Sequence, residues 1–177
     1  MKHLNIEIKA RTTKYKQDKI RKILLQSFAK FIGVDNQIDS YFKIEEGRLK
    51  IRKGNIENYL IWYNREDKED SKQSNVELYP LLKHSYLEKI IRKTYDTLVI
   101  VDKKREIYFI DNVKFHIDYV KDLGTFIEIE AISENETIPI EKIKEQCEYY
   151  KHLFNIKDKD LIKNSYSDML LNKKEIN

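Results

Sequence analysis

The sequence predicts an α+β fold built around an antiparallel meander of strands, which is either an open sheet or a closed barrel. Most of the predicted strands alternate apolar and charged residues with a period of two, and short turns connect them. At least three other segments repeat apolar residues at helical spacing instead. The 177 residues are enough for a single domain with a substantial core.

The first half of the chain begins with a strand over 3–11, in which Ile6 and Ile8 alternate with charged residues. Thr12 or Thr13 can cap a helix whose apolar pattern continues to Gly33, a residue that commonly ends a helix. The other elements predicted in this half are a strand over 37–44, a hairpin turn over 45–47, strands over 48–53 and 59–65, a mobile polar loop over 66–74, a strand over 75–79, and a helix over 81–93 opened by Pro80.

The second half continues the meander and ends in helical segments. The predicted elements are strands over 97–105, 106–112, 114–120 and 124–132, a helix that starts at Pro139, a short helix near 158–163, and a last turn over 165–171. We therefore expect one domain over 1–171 and a disordered tail over 172–177.

The charged residues of the strands are sorted by sign. Basic residues share a face of 48–53 and of 103–105, whereas Glu128 and Glu130 share a face of 124–132. A charged strand face usually meets water, and a half-exposed sheet is the simplest interpretation of each strand alone. Surface strands usually mix the two signs, however, and the amphipathic helices need the apolar faces to pack on. The charged faces would then line a concave or closed interior.

A charged interior is costly unless it binds a ligand. A cluster of Lys and Arg suits a polyanion, because guanidinium groups pair with phosphate oxygens. Carboxylates beside that cluster suit Mg²⁺ or Mn²⁺, which commonly bridge to substrate phosphates. The pattern therefore indicates a metal–triphosphate site, and the chain has no Gly-rich phosphate loop that would indicate another kind.

Composition restricts the cellular setting. Because the chain has one cysteine, Cys147, and no long apolar run or signal peptide, we expect a cytoplasmic protein that does not enter membranes. The net charge of +4 does not by itself favour a nucleic-acid partner, since the basic residues of 48–53 alternate with aliphatic ones instead of aromatic ones.

In these residues the chain resembles the CYTH superfamily, the triphosphate tunnel metalloenzymes, and most closely its class IV adenylyl cyclase branch. The resemblance extends from about residue 4 to 171 and is carried by an ordered set of motifs. These are 5-NIEIKAR-11, 39-DSYF-42 with 47-GRLKIR-52, 61-IWYNR-65 with Ser74, 101-VDKKREIY-108, 116-HID-118 with 123-LGTFIEIE-130, and 165-SYSDML-170.

The resemblance implies an antiparallel β-barrel that forms a triphosphate tunnel, with helices around it. It implies phosphate binding by Lys9, Arg11, Lys50, Arg52, Arg65, Lys103 and Arg105. It implies that Glu7, Glu128 and Glu130, with Asp118, hold the divalent metal, and that Glu7, Lys9, Glu128 and Glu130 form the catalytic centre. Relatives in this branch can be dimeric, so a homodimer is compatible with the resemblance.

One residue departs from the family pattern. The opening Glu-x-Glu-x-Lys motif begins here with Asn5, whose carbonyl oxygen can reach a metal or water but carries no charge. Tyr41, Tyr63 and His116 are further candidates for the tunnel wall; a lone histidine on a strand is more often a hydrogen-bonded wall residue than a general base.

Three functions remain open at this point. An adenylyl cyclase would convert ATP to cyclic AMP and pyrophosphate, and the motifs most resemble that branch. A triphosphatase would hydrolyse tripolyphosphate, thiamine triphosphate or a nucleotide in the same tunnel, because fold does not decide the reaction. A binding module would hold a nucleotide or polyphosphate without turnover, an alternative that Asn5 favours.

Overall fold

A computed structural model describes residues 2–65, 72–82 and 85–175. Eight antiparallel strands close into a barrel in the order β1-β5-β4-β3-β2-β6-β7-β8. The strands are β1 Lys2–Arg11, β2 Lys30–Phe42, β3 Arg48–Lys53, β4 Tyr59–Arg65, β5 Lys72–Pro80, β6 Thr97–Ile110, β7 Val113–Val120 and β8 Gly124–Glu134. The helices are α1 Lys14–Gln26, α2 Tyr86–Thr94, α3 Ile140–Leu153 and α4 Tyr166–Glu175. The predicted fold class, in its closed form, is confirmed.

The main hydrophobic core lies outside the barrel, between strands β1, β7 and β8 and the helices α1 and α3. Ile6, Ile8 and Ala10 of β1 are buried there, with Ile20 of α1 and Ile143 of α3. Burying one such isoleucine side chain contributes about 1.5–3 kcal/mol. Since the helices occupy the apolar faces of these strands, the charged faces of the same strands must point into the barrel.

A second apolar cluster closes one end of the barrel beneath α4. Tyr166, in the first turn of α4, packs on Phe126 with ring centroids 5.0 Å apart. The other buried members of the cluster are Tyr41, Val99, Val101 and Val120. In the parts of the chain that the structure describes, no helix combines the length and the apolar character needed to cross a membrane.

Several boundaries differ from the prediction in the first half. Helix α1 ends at Gln26, where Ser27 and Phe28 leave the helix and Phe28 adopts a positive φ of 56°. The apolar residues that follow belong to β2, and Gly33 lies at an irregularity of its ladder with β6 instead of ending a helix. Pro80 is the last residue of β5, and α2 begins six residues later, after its N-cap Ser85.

The second half also differs in three places. Residues 97–110 form the single strand β6, because its cross-strand partners on β2 and β7 continue past 105. The predicted last turn is the helix α4, which continues through residues 172–175 of the predicted disordered tail. Lys173 Nζ donates to the Asp122 carbonyl at 2.8 Å, which helps to hold this segment; residues 176–177 lie outside the described residues. The segment near 158–163 is a 3₁₀ turn over Asp158–Asp160, and the loop 66–71 is also outside the described residues.

Candidate functional site

The barrel encloses a cavity of about 180 Å³ with charged and aromatic walls. It is lined by inward-facing residues two apart on the strands, as the alternation predicted. The charged residues that line it are Glu7, Lys9, Asp39, Lys50, Arg52, Glu57, Lys103, Arg105, Lys114, Glu128 and Glu130. The candidates Asn5, Tyr41, Tyr63 and His116 line the same cavity.

A cluster of cations surrounds the buried carboxylate of Asp39. Lys50 Nζ lies 3.0 Å and Lys103 Nζ 2.6 Å from Asp39 Oδ2, and Arg52 donates to both carboxylate oxygens at 2.8 and 3.0 Å. Burial alone would raise the pKa of Asp39, but Arg52 and the two lysines lower it well below its usual range. Asp39 is therefore ionised and acts as an internal counter-ion for three of the predicted phosphate-binding residues.

Lys103 is a deeply buried cation of this cluster. It is 3% exposed, and burial, together with the neighbouring cations, lowers the pKa of Lys103 to about 7, although Asp39 acts in the opposite direction. A proton on Lys103 is thus held weakly at neutral pH, and an incoming anion would stabilise it.

A second ionic cluster joins β6, β7 and β8. Arg105 donates to Asp118 at 2.8 and 2.5 Å and to Glu128 Oε2 at 2.5 Å. Lys9 Nζ lies 3.1 Å from the other oxygen of Glu128. Burial alone would raise the pKa of Glu128, but Arg105 and Lys9 lower it well below its usual range.

His116 is a hydrogen-bonded residue of the tunnel wall. Its Nδ1 lies 3.1 Å from Glu128 Oε2, and its Nε2 is buried without a hydrogen-bond partner. Burial and then Arg105 lower the pKa of His116 well below its usual range, so that the ring is neutral at neutral pH. Because Nδ1 faces a carboxylate, we assign the proton to Nδ1 and the free lone pair to Nε2.

The predicted metal ligands are only partly brought together. Glu7 and Glu130 are directly opposite each other on β1 and β8. Glu128 is instead held by its cations, and Asp118, which is fully buried, accepts from Arg105 and from the Tyr166 hydroxyl and does not line the cavity. Among the described residues, no group of three or more Asp, Glu, His or Cys side chains is arranged to hold a metal ion.

The oxygen atoms beside Glu130 nevertheless fit a hard divalent cation. Asn5 Nδ2 donates to Glu130 Oε1, while Asn5 Oδ1 and Glu7 Oε1 are buried without a hydrogen-bond partner. Glu7 Oε1 does lie 3.3 Å from Lys9 Nζ, an ion-pair distance. Buried oxygen atoms that lack donors are the ligand type that Mg²⁺ and Mn²⁺ prefer.

Only some of the predicted phosphate-binding residues line the cavity. Lys9, Lys50, Arg52, Lys103 and Arg105 line the cavity. Arg11 does not: it is exposed, lies over the Phe126 ring at 4.9 Å and donates to the Leu123 carbonyl at 2.9 Å. Arg11 is the last residue of β1, so its side chain can lie outside the barrel. The alternation of residues along the strand does not predict this placement. The side chain of Arg65 lies outside the described residues.

Sequence reasoning missed several lining residues. Asp39 was not among the predicted site residues, although the alternation of 37–44 places it on the same face as Tyr41. Lys114 shares its face with His116 and could have been found in the same way. Glu57 lies in the loop between β3 and β4, where no periodicity applies, and Tyr166 reaches the cavity from α4. Glu57 had no signal in the sequence, whereas Tyr166 lies in the closing motif 165-SYSDML-170 but was given no role in the predicted site.

The chain has relatives both in sequence and in structure. A model of the CYTH domain family matches residues 3–166. None of the curated proteins matches the sequence. The PH1012 protein of Pyrococcus horikoshii OT3 is a structural match with 25% identity and a TM-score of 0.74, over 93% of this chain and 98% of that one.

Two further solved structures share the fold at lower identity. A candidate adenylate cyclase from Vibrio parahaemolyticus is 18% identical, with a TM-score of 0.75 over 94% of this chain and 97% of that one. A candidate adenylyl cyclase from Hippeastrum, described as having a dominant triphosphatase activity, is 14% identical. Its TM-score is 0.61 over 87% of this chain and 88% of that one.

Proposed function

Because this chain belongs to the CYTH domain family, we propose that it is a metal-dependent enzyme acting on a triphosphate, with an adenylyl cyclase-like reaction as the leading assignment. The observation that carries the proposal is the cation cluster around Asp39. Lys50, Arg52, Lys103 and Lys114 face only two carboxylates, Asp39 and Glu57, which leaves positive charge in a buried space. A triphosphate supplies the anionic oxygens that balance it.

Cations from several strands of the barrel share the binding of the phosphate chain. The phosphate oxygens would be bound from three strands, by Lys50 and Arg52 on β3, by Lys103 and Arg105 on β6, and by Lys9 on β1. Phosphoryl chemistry depends mainly on positioning and charge stabilisation, which a rigid barrel supplies. Asn5, Glu7 and Glu130 would hold Mg²⁺ or Mn²⁺, and the bound metal supplies Lewis-acid stabilisation of charge on the phosphate oxygens.

The aromatic part of the wall favours a nucleoside triphosphate. Tyr41, Tyr59 and Tyr63 line the cavity together with the aliphatic side chains Ile61 and Leu78. Aromatic rings stack on bases, whereas an inorganic polyphosphate has no apolar group that could pack on such a surface. In the cyclase reaction the ribose 3′-hydroxyl loses its proton to the solvent as its oxygen attacks the α-phosphorus. The bond from the α-phosphorus to the oxygen that bridges it to the β-phosphorus breaks, and pyrophosphate leaves as cyclic AMP forms.

Triphosphate hydrolysis is the second candidate. Its support is the buried, charged part of the same cavity, which could hold tripolyphosphate or thiamine triphosphate without a base. Water would then attack the terminal phosphorus, and the bond from that phosphorus to the bridging oxygen would break. Pyrophosphate or thiamine diphosphate is the leaving group, the attacked phosphoryl group becomes orthophosphate, and the water proton passes to the solvent. Binding without turnover is the third candidate, because the Asn5 amide already occupies one oxygen of Glu130.

Product analysis separates the three candidates. The full chain is incubated with ATP, and separately with tripolyphosphate, each with Mg²⁺ or Mn²⁺. Cyclic AMP with pyrophosphate establishes the cyclase, and orthophosphate establishes the triphosphatase. Binding without either product would show a sensor, and absence of both binding and turnover would refute the proposal.

Triphosphate affinity is expected to depend on pH through Lys103. In the ligand-free protein the pKa of Lys103 is about 7, and a bound polyanion raises it. Binding above pH 7 is therefore accompanied by the uptake of a proton. By linkage, affinity is greatest below pH 7 and falls as the pH rises above 7, until the pKa of the complex is reached. Calorimetry in buffers of different ionisation enthalpy measures the protons taken up.

Two variants test this assignment to Lys103. Lys103→Met should abolish most of the proton uptake at pH 8, whereas Lys104→Met, its exposed neighbour on the same strand, should retain it. Because the wild type and the variants are compared at one pH, the proton uptake or release of the ligand itself is the same in each measurement and cancels. Equal proton uptake by the Lys103 variant and the wild type would assign the proton to another group.

A further inference from the structure

The loop between β3 and β4 places a carboxylate across the tunnel. Glu57 Oε2 accepts from Arg52 Nη1 at 2.8 Å, and Glu57 Oε1 accepts from Lys114 Nζ. Arg52 is on β3 and Lys114 is on β7, and these strands are not neighbours in the barrel. The Glu57 carboxylate therefore bridges cations from two strands that are not adjacent, and it occupies the space between them.

The loop is held rigidly by a second, buried carboxylate. Asp35 accepts from the backbone N–H groups of Asn55, Ile56 and Glu57 at 2.7, 3.0 and 2.9 Å. At Gly54, a Cβ atom would lie 2.4 Å from Asp35 Oδ1, so only glycine lets the loop approach this closely. These contacts involve the backbone, and they fix the loop whatever side chain residue 57 carries.

Gln37 then positions the Glu57 side chain. Its Nε2 donates to Asp35 Oδ2 at 2.8 Å and to Glu57 Oε2 at 2.9 Å. Burial alone would raise the pKa of Glu57, but Arg52 and Lys114 lower it well below its usual range, so the carboxylate is charged. Arg52 and Lys114 provide the contacts that a phosphate group would use, and Glu57 already fills that place.

We propose that the Glu57 carboxylate fills an anion subsite at this part of the tunnel and thereby limits the phosphate chain that the tunnel accepts to a triphosphate. The inference rests on the proposed function, since it concerns the length of the same ligand. A linear polyphosphate that extends beyond three phosphates meets a subsite that the Glu57 side chain already occupies instead of a free pair of cations. Glu57 is in this sense a specificity-determining residue and takes no part in bond making.

The test measures the affinities of tripolyphosphate and tetrapolyphosphate by calorimetry with the full chain. The wild type is expected to prefer tripolyphosphate. In Glu57→Ala the ratio of the two affinities should shift by at least about tenfold toward tetrapolyphosphate, which corresponds to one gained charge-assisted contact. A ratio that stays at the wild-type value would overturn the proposal.

Three controls separate an opened subsite from a general change in charge. Glu57→Gln removes the charge but keeps the side-chain volume, so it should shift the ratio much less than Glu57→Ala. Glu46→Gln, in the exposed turn between β2 and β3, should leave the ratio unchanged. Adding Lys114→Met to Glu57→Ala should cancel the gain, because one cation of the subsite is then missing.

The outcomes also distinguish this inference from the proposed function. If the wild type binds neither ATP nor tripolyphosphate, both fail. Suppose that the wild type binds tripolyphosphate, but that Glu57→Ala and Glu57→Gln raise the affinities for both polyphosphates equally. Only the subsite proposal is then refuted, and Glu57 acts through the long-range effect of its charge. Should the alanine variant lose its cooperative melting transition, Glu57→Ser is measured in its place with the same expected shift.

Discussion

Replacing Arg105 with methionine is expected to lower the free energy of unfolding by about 3–5 kcal/mol, the cost of leaving buried charges without their partner. Arg105 is 3% exposed and neutralises two buried carboxylates, Asp118 and Glu128. For a chain of this size, the loss corresponds to a fall of about 6–20 °C in melting temperature. Thermal or denaturant unfolding followed by circular dichroism measures it.

A second substitution tests the physical cause. After loss of Arg105, Glu128 keeps Lys9 and His116, whereas Asp118 keeps the uncharged hydroxyl of Tyr166. Adding Asp118→Asn should therefore recover more stability than adding Glu128→Gln. Lys104→Met, one residue away on the outer face, should change the melting temperature little. Equal destabilisation by the Lys104 and Arg105 variants would mean that the buried ion pairs contribute nothing specific.

Glu130→Gln is expected to reduce turnover by at least about 100-fold, as when one group that stabilises transition-state charge is lost. In the proposed metal site, the substitution would remove the charge that stands beside Asn5 and Glu7. The glutamine oxygen can still accept the hydrogen bond from Asn5, so the melting temperature should stay close to that of the wild type. Turnover and Mg²⁺ or Mn²⁺ affinity are measured together.

Glu134→Gln is the matched control for this experiment. Glu134 is exposed at the end of the same strand, and its loss of charge should alter neither turnover nor metal affinity. If Glu130→Gln retains both wild-type turnover and wild-type metal affinity, Glu130 does not belong to the metal site. A loss of turnover with unchanged metal affinity would place Glu130 in phosphate positioning instead.

The strand pattern could be predicted because it depends on short-range geometry. Successive side chains of a strand point to opposite faces, so the alternation in β1, β3 and β8 is enough to separate inward from outward residues. The same rule predicted that Lys50, Arg52 and Lys103 would face one space, which the cavity confirms. The resemblance to a family added that the sheet closes.

The boundaries of the helices could not be predicted in the same way. The residues Phe31 and Ile32 continue the helical spacing of α1, but pairing of β2 with β6 takes them into the sheet. Pro80 commonly opens a helix, yet here it ends β5, where a strand no longer needs its N–H. In both places the tertiary partner outweighs a weak local preference.

The sequence by itself determined which residues could form the tunnel wall, because their type and spacing are local properties of a strand. Only the tertiary structure decided how those charges pair. Asp39 gathers three cations, Glu128 is taken by Arg105 and Lys9 instead of joining Glu7 and Glu130, and Glu57 enters from a loop. Pairing depends on distances between residues that are far apart in the chain, and barrel closure and loop conformation set those distances.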